Sequence, residues 1–492
     1  MKNALSFLFG MLLVSAFAPL NLWFFAFLSP LGLLFLIQPK KFVSFKKAFQ
    51  LGLSFGVGFF SFGASWIFIS IHTYSNTPWY IAGLITFLFV LALAFFTALH
   101  TCLTTRFSPK FIFISFPALG ALFEWARSWF LSGFPWLLIG QSQTQGFFKG
   151  WIPLLGVYGL GFLILFSSTL LFIFLRERKK TKGKIAGILF LLILLSGYSL
   201  SFVNWTYPLG KAIKVSLLQG NIPQETKWNA QSMESTLKIY LDLTKQSWES
   251  KLIFWPEGAV TLPFPESQKF LHSLSLLAQA HRAFIVLGLP VQATENFYFQ
   301  TAYYNAILAL NTTHNFYAKR HLVPFGEYFP PFISVFRGLI GFFDIPMSDF
   351  ISGSKKQNLI EVDNIKIGTF ICYEIAYSNL LFDTLKQYPD VLATLSNDTW
   401  FGHSLAPYQH AQISQFAAIQ TGRYLLLNAN SGLTAIYDPH GLQTQVIPLF
   451  VRERLNGEFF VVKGETPWCY YGDKPILIFF IVLLACIVRR RT

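Results

Sequence analysis

Three reactive side chains in the C-terminal half of the chain each follow a short apolar run: Glu257 after Phe254-Trp255-Pro256, Lys319 after Phe316-Tyr317-Ala318, and Cys372 after Lys366–Ile371. Such runs are read as buried strands. A residue just past the end of a buried strand sits on rigid scaffold at the rim of a sheet, where it can face a cleft. A thiol attacks a carbonyl only as the thiolate, and a free cysteine has a pKa near ~8.5. Glu257 is the candidate base, with a pKa that burial would raise toward the working range. Attack on an acyl group creates an oxyanion, which Lys319 can stabilise together with a backbone N–H after the cysteine. The product is a thioester, so the reaction divides into two steps. Plainer readings compete: an inert buried cysteine, a surface glutamate, and a solvated basic patch at Lys319-Arg320-His321. No histidine is placed beside the cysteine in a papain-like pair. His403 and His410 are poorly spaced for a metal site on one helix, so neither metal nor cofactor is expected.

The elements that would position these residues are legible between about 212 and 465. Strands are expected at Ile213–Leu218, Leu252–Trp255, Phe284–Leu289, Ala306–Leu310, Phe316–Ala318, Lys366–Ile371, Val391–Leu395, Tyr424–Leu427 and Leu433–Tyr437. Helices are expected at Ser232–Ser247, Glu266–His281, Ser378–Gln387 and Tyr408–Gly422. This alternation describes an α/β domain, and a segment of that length buries a full core.

The rest of the chain is of another kind. Of its 492 residues 53% are hydrophobic and only 12% charged, which points to several membrane spans. Apolar runs lie at about 4–20, 22–38, 51–71, 78–100, 111–132, 157–175, 185–203 and 474–489. The net charge of +15 has two readings, nucleic-acid binding or membrane topology. The basic residues decide for topology. Lys40, Lys41, Lys46 and Lys47 follow the second run, Arg106 and Lys110 the fourth, Arg176 to Lys184 the sixth, and Arg489 to Arg491 the last. The alternate connections are nearly uncharged; the one from Gln141 to Gly150 holds Lys149 alone. Basic loops face the cytoplasm, so the segment after residue 203 lies outside. The expected domains are a membrane part at 1–211, an extracytoplasmic catalytic part at 212–465, and a last helix with a basic tail at 466–492. The start resembles a signal peptide, with Ser15-Ala16-Phe17-Ala18 as its cleavage site. Pro19 and the short connection favour a retained hairpin.

Glu124 and Arg127 lie at i,i+3 in the fifth run, a spacing that allows an ion pair on one helix face. Ser132-Gly133-Phe134-Pro135-Trp136 reads as an interfacial turn. The apolar stretch 329–350 is either a packed loop or a lid dipping into the bilayer surface. Cys102 and Cys486 are expected to be packing residues. Cys372 and Cys469 both fall on the outer side and are expected to be reduced.

Trp255-Pro256-Glu257, the stretch from Lys319 to Glu327 (Lys-Arg-His-Leu-Val-Pro-Phe-Gly-Glu) and Cys372-Tyr373-Glu374 resemble the nitrilase superfamily. Asn397-Asp398-Thr399-Trp400-Phe401-Gly402 and the stretch Gln219–Gln224 sharpen the resemblance to the apolipoprotein N-acyltransferase family, as do Glu124-Trp125-Ala126-Arg127 and Gly133–Trp136. The resemblance covers nearly the whole chain. It implies an α/β nitrilase-like αββα sandwich inserted in an all-α polytopic membrane bundle of eight helices. It implies Glu257 as proton acceptor, Lys319 as oxyanion stabiliser and Cys372 as nucleophile. Glu327 would orient the lysine, Tyr373 and Glu374 would support the nucleophile, and Trp228 would belong to a mobile substrate-side loop.

The activity so implied is N-acyl transfer at the inner (plasma) membrane, with the catalytic domain periplasmic. An acyl chain passes from a phospholipid, phosphatidylethanolamine by resemblance, through a Cys372 thioester to the α-amine of the diacylglyceryl-cysteine of an apolipoprotein. No nucleic acid is involved, and with no self-association motif a monomer is expected. One rival is a membrane-anchored amidase using water, which would need one span rather than eight. Another is a transporter with an external binding domain, which would need neither a nucleophile nor an acyl adduct.

Overall fold

The computed structural model describes residues 1–38, 42–75, 77–293, 302–312, 316–328 and 350–489. The C-terminal half is built on two six-stranded sheets. The first holds β1 (Thr206–Gln219), β2 (Leu252–Phe254), β3 (Phe284–Gln292), β4 (Tyr303–Ala309) and β5 (Phe316–Ala318) in that order, with the late strand Glu453–Gly464 on the far side of β1. The second holds β6 (Ile360–Val362), β7 (Ile365–Ile371), β8 (Val391–Ser396), β9 (Leu425–Ala429), β10 (Thr434–Tyr437) and β11 (Gln443–Ile447) in chain order. The strand Glu453–Gly464 is β12.

Each sheet has a parallel centre, β1-β2-β3 in one and β7-β8-β9 in the other. Their facing surfaces form one apolar core, with Val215, Leu217, Phe254 and Val286 opposite Ile367, Ile371, Ala393 and Leu426. Helices 230–245 and 264–280 cover the outer face of the first sheet through Tyr240, Leu243, Leu271 and Leu274. Helices Ser378–Leu385 and Ala406–Thr421 cover the second. The layers are therefore αββα, as expected.

Every strand and helix expected in this region forms, with ends shifted by up to a few residues except that β1 begins seven residues earlier than expected. Three strands were not anticipated. β6 is three residues long, too short to show a period, and four of the five residues of β11 are exposed. β12 is an edge strand of irregular burial, so it too lacks the alternation that marks a half-buried strand.

Helices form in all eight apolar runs. Three of them, Trp79–Thr104, Lys149–Glu177 and Thr181–Leu200, are long and apolar enough to cross a membrane; Phe45–Gly63 with Trp66–Tyr74, bent by 52°, makes a fourth if counted as one span. Lys2–Val14, Phe25–Ile37 and Lys474–Val488 are apolar but shorter. The first helix packs against the third through glycine: a Cβ on Gly10 would lie 1.9 Å from the Phe55 carbonyl oxygen, and one on Gly58 2.1 Å from that of Phe7. Such contacts let helix backbones close on each other where lipid provides no hydrophobic drive.

The bundle and the second sheet share one continuous core, because Ala406–Thr421 is buried on nearly every side between them. Polar bonds lock this seam. Trp136 Nε1 donates to Gln409 Oε1 at 2.6 Å, Gln409 Nε2 to the Gly63 carbonyl at 3.1 Å, and Gln412 Nε2 to Asn21 Oδ1 at 3.0 Å.

Glu124 and Arg127 do not form the expected ion pair. Arg127 donates to the carbonyls of Phe134 (2.8 Å), Trp136 (2.7 Å) and Leu137 (3.2 Å), and Glu124 Oε1 accepts the Ile139 N–H at 2.8 Å. The irregular stretch 134–139 has backbone groups that no helix satisfies, and buried unpaired backbone is costly. These two side chains supply the missing partners. Cys486 is exposed on its helix rather than packed, whereas Cys102 is buried. The suggested lid at 329–350 lies outside the described residues except for Phe350, which is buried and bridges to Tyr303.

Candidate active site

The strand-end residues converge. β2 leads through Trp255-Pro256 to Glu257, β5 stops at Ala318 just before Lys319, and β7 stops at Ile371 just before Cys372. β2 and β7 belong to the parallel centres of the two sheets, and the C-terminal ends of parallel strands are where α/β folds open crevices.

Lys319 is buried, and its Nζ donates to Glu327 Oε1 at 2.8 Å and to Glu257 Oε1 at 3.4 Å. Asn305 of β4 ties the same two oxygens together, its Nδ2 donating to Glu257 Oε1 at 2.7 Å and Glu327 Oε1 at 2.8 Å. The outer oxygens are also engaged: Glu257 Oε2 accepts the Asn397 N–H and Glu327 Oε2 the Val323 N–H, both at 2.8 Å. Buried charges persist only when paired and hydrogen-bonded, and every member of this cluster is. Burial alone pulls the Lys319 pKa down. Glu327, Glu257 and Cys372 more than reverse that, so the ammonium is held far above the ordinary lysine range.

Cys372 is half-buried and takes φ +55°, a left-handed conformation that is strained for a residue with a Cβ. Its carbonyl oxygen accepts from Thr394 Oγ1 at 3.2 Å and lies 3.2 Å from His410 Nε2. His410 Nδ1 lies 3.0 Å from Asp398 Oδ1, which also accepts from Ser396 Oγ. Burial and then Glu257 push the Cys372 thiol up, and Lys319 pulls it back only in part. The thiol therefore rests well above the ordinary cysteine range, within the fields of both charged partners.

The supporting residues fall into place unequally. Glu327 is in the cluster. Glu374 is buried and has every lone pair in use: Oε1 accepts the N–H groups of Arg320 (2.7 Å) and His321 (3.0 Å), and Oε2 accepts from Tyr317 Oη (2.9 Å) and the Ile371 N–H (2.8 Å). It clamps the segment after Lys319 to the strand before Cys372. Tyr373 Oη donates to the Leu322 carbonyl at 2.7 Å, and its ring lies 5.7 Å from Lys319 Nζ. Trp228 stands beside the site, since a Cβ on Gly258 would lie 3.7 Å from its ring.

Lys319-Arg320-His321 is not the solvated basic patch that composition allowed. Arg320 donates to Tyr317 Oη (3.1 Å) and Thr384 Oγ1 (3.1 Å). His321 Nε2 lies 2.8 Å from the Ser132 carbonyl oxygen, in the interfacial turn after the fifth run. Its ring packs on Tyr377 at 3.8 Å, and burial pulls its pKa down. The site is thus pinned to the bundle.

Sequence reasoning missed Asn305 and Lys227, and, although Asn397-Asp398 carried the family resemblance, it foresaw neither the contact of Asn397 with Glu257 nor the His410–Asp398 pair. Lys227 is buried, donates to the Glu257 carbonyl at 2.9 Å, and is pulled down to about 8 by burial. None follows a recognisable strand end except Asn397, which directly follows β8.

Two family descriptions match the chain: the apolipoprotein N-acyltransferase N-terminal domain over residues 9–170, and carbon-nitrogen hydrolase over 214–446. Among curated proteins it is 36% identical to the apolipoprotein N-acyltransferase of Coxiella burnetii, over 98% of this chain and 99% of that one. It is 36% identical to that of Methylococcus capsulatus, over 98% and 95% of the two chains, and 37% identical to that of Azotobacter vinelandii, over 99% and 95%.

Proposed function

This chain belongs to the apolipoprotein N-acyltransferase family, and from that premise we propose that it acylates lipoproteins through a thioester on Cys372. The observation that carries the mechanism is the buried Glu257–Lys319–Glu327 cluster acting on a thiol that rests protonated.

A resting thiol needs a base at the moment of attack. Glu257 takes the Cys372 proton as Sγ adds to the ester carbonyl of a phospholipid such as phosphatidylethanolamine. Negative charge moves to the carbonyl oxygen, where the Lys319 ammonium meets it without reorganising. Collapse expels the lysophospholipid alkoxide, which recovers the proton from Glu257, and the acyl chain stays on sulfur. The α-amine of the diacylglyceryl-cysteine then attacks the thioester. Glu257 accepts the amine proton and returns it to the departing thiolate. Glu327 and Asn305 hold Lys319 and Glu257 in register, and Trp228 stands on the substrate side.

The alternation of basic and uncharged connections supports eight crossings of the inner membrane, with residues 212–465 on the periplasmic face between the membrane parts 1–211 and 466–492. Both substrates are anchored in lipid, and a site pinned to the bundle through His321 and Tyr377 can meet them at the bilayer surface. The test is purified protein with labelled phosphatidylethanolamine and a diacylated lipopeptide. The expected product is N-acyl peptide. Release of free fatty acid with no N-acyl peptide would instead make the protein a hydrolase with water as acceptor.

A further inference from the structure

A pocket lies where the bundle meets the sandwich, and its lining shares no residue with the cluster around Cys372. It is a small, partly open recess between the short helix Lys149–Trp151, the end of helix Thr181–Leu200 and the loop at Pro439-His440. Gly150 allows this junction to close, because a Cβ there would lie 2.2 Å from the Gly197 carbonyl oxygen and 2.4 Å from the Ser201 N–H nitrogen.

The donors of this pocket are left unused. Trp205 Nε1 is buried with no hydrogen-bond partner among the described residues. Lys149, the one basic residue in its otherwise uncharged connection, lines the same pocket, and its side chain makes no hydrogen bond or ion pair among the described residues. His440 also lines the pocket. The nearest opposing charge is Asp438, whose Oδ1 already accepts the N–H groups of His440 (2.9 Å) and Leu442 (2.7 Å). A half-buried cation and an indole N–H without acceptors describe a site for an anion.

The surroundings identify which anion. The pocket opens at the end of a helix with an exposed, largely apolar outer face: Leu191, Leu192, Leu195 and Tyr198, with Phe202 and Val203 just past its end, are all exposed. A phosphodiester seated at the mouth of this recess would face these donors, and its chains would lie along the strip. We propose that Lys149, Trp205 and His440 bind the phosphodiester headgroup of a phospholipid held at the seam between bundle and sandwich, apart from the acyl-donor site. The proposal rests on helices 152–177 and 181–200 lying in the membrane, not on the chemistry of Cys372.

Native mass spectrometry of the delipidated full chain, titrated with dioleoyl phosphatidylglycerol, tests it. A Cys372→Ala background keeps acyl transfer out of the measurement. One tightly retained lipid is expected, with affinity at least tenfold weaker in Lys149→Gln and in Trp205→Phe and restored in Lys149→Arg. Cys469 labelling and the melting temperature, read in the same samples, report whether each variant is folded. Should Trp205→Phe fail to fold, the Lys149 pair decides alone. Equal retention by wild type and Lys149→Gln overturns the proposal. So does equal retention of dioleoylglycerol, which has no phosphate, or displacement of the lipid by millimolar inorganic phosphate, which would make the ligand a free anion.

Discussion

The Asn397 N–H donates to Glu257 Oε2 at 2.8 Å, which joins the end of β8 in one sheet to the residue just past β2 in the other. With Asn305 and Lys319 on Oε1, both oxygens of this carboxylate act as acceptors. Replacing it by glutamine turns an amide NH2 toward an existing donor whichever way it flips. Glu257→Gln is therefore expected to lower stability by roughly 1–3 kcal/mol as well as activity by at least ~100-fold. Melting curves beside acyl-transfer rates check both.

The same variant separates two ways in which Glu257 can act. Its charge raises the Cys372 thiol, so removing it lowers the thiol pKa and speeds alkylation of Cys372 by iodoacetamide at pH 8. Acyl transfer should slow in the same protein. If both rates fall together, loss of the base outweighs the lowered thiol pKa; if acyl transfer is unchanged in this variant, the role of Glu257 as base is wrong.

Wild-type Cys372 should alkylate slowly at neutral pH and about tenfold faster per pH unit, with no plateau through pH 9, because burial and Glu257 hold the thiol above its ordinary range. With the phospholipid donor alone, intact-mass analysis should show one acyl adduct. Peptide mapping should place it on Cys372, and Cys372→Ala should lack it. An adduct persisting in that variant would move the nucleophile elsewhere. All four cysteines are free, so Cys372 and Cys469 should both label without reductant.

Lys319→Met leaves Glu257 and Glu327 facing each other through Asn305 with no cation between them. Removing one partner from a buried ionic cluster costs on the order of 3–5 kcal/mol. Denaturation should show that loss. The thiol should also become less reactive, since Lys319 is the group that favours its thiolate.

His410 gives stability a pH dependence. Burial pulls its pKa down, but the charge and hydrogen bonds of Asp398 and the Cys372 carbonyl raise it net above the ordinary value. An unfolded imidazole titrates near ~6.5. Below that both states are protonated and the stabilisation is complete; above it the folded state keeps a proton the unfolded chain has lost. The contribution therefore fades as pH rises through the folded pKa. The melting-temperature gap between wild type and His410→Asn should be larger at pH 6 than at pH 9.

The sequence by itself placed the expected buried strands and the candidate residues Glu257, Lys319 and Cys372, because buried strands announce themselves as apolar runs whatever surrounds them; the αββα layering was implied only by the family resemblance. It also marked every helical run of the membrane part, though not which of them have spanning length. It did not reveal Asn305 or Lys227, nor what Asn397 and His410 bind, for these polar residues are defined by what they face across the sheets. Arg127 shows the same limit: its i,i+3 spacing to Glu124 allows an ion pair, yet the backbone of 134–139 had the stronger claim on it. Local pattern encodes which residues lie at a rim. Which groups then satisfy each buried charge depends on distances between segments far apart in the chain, and only the packed structure decides that.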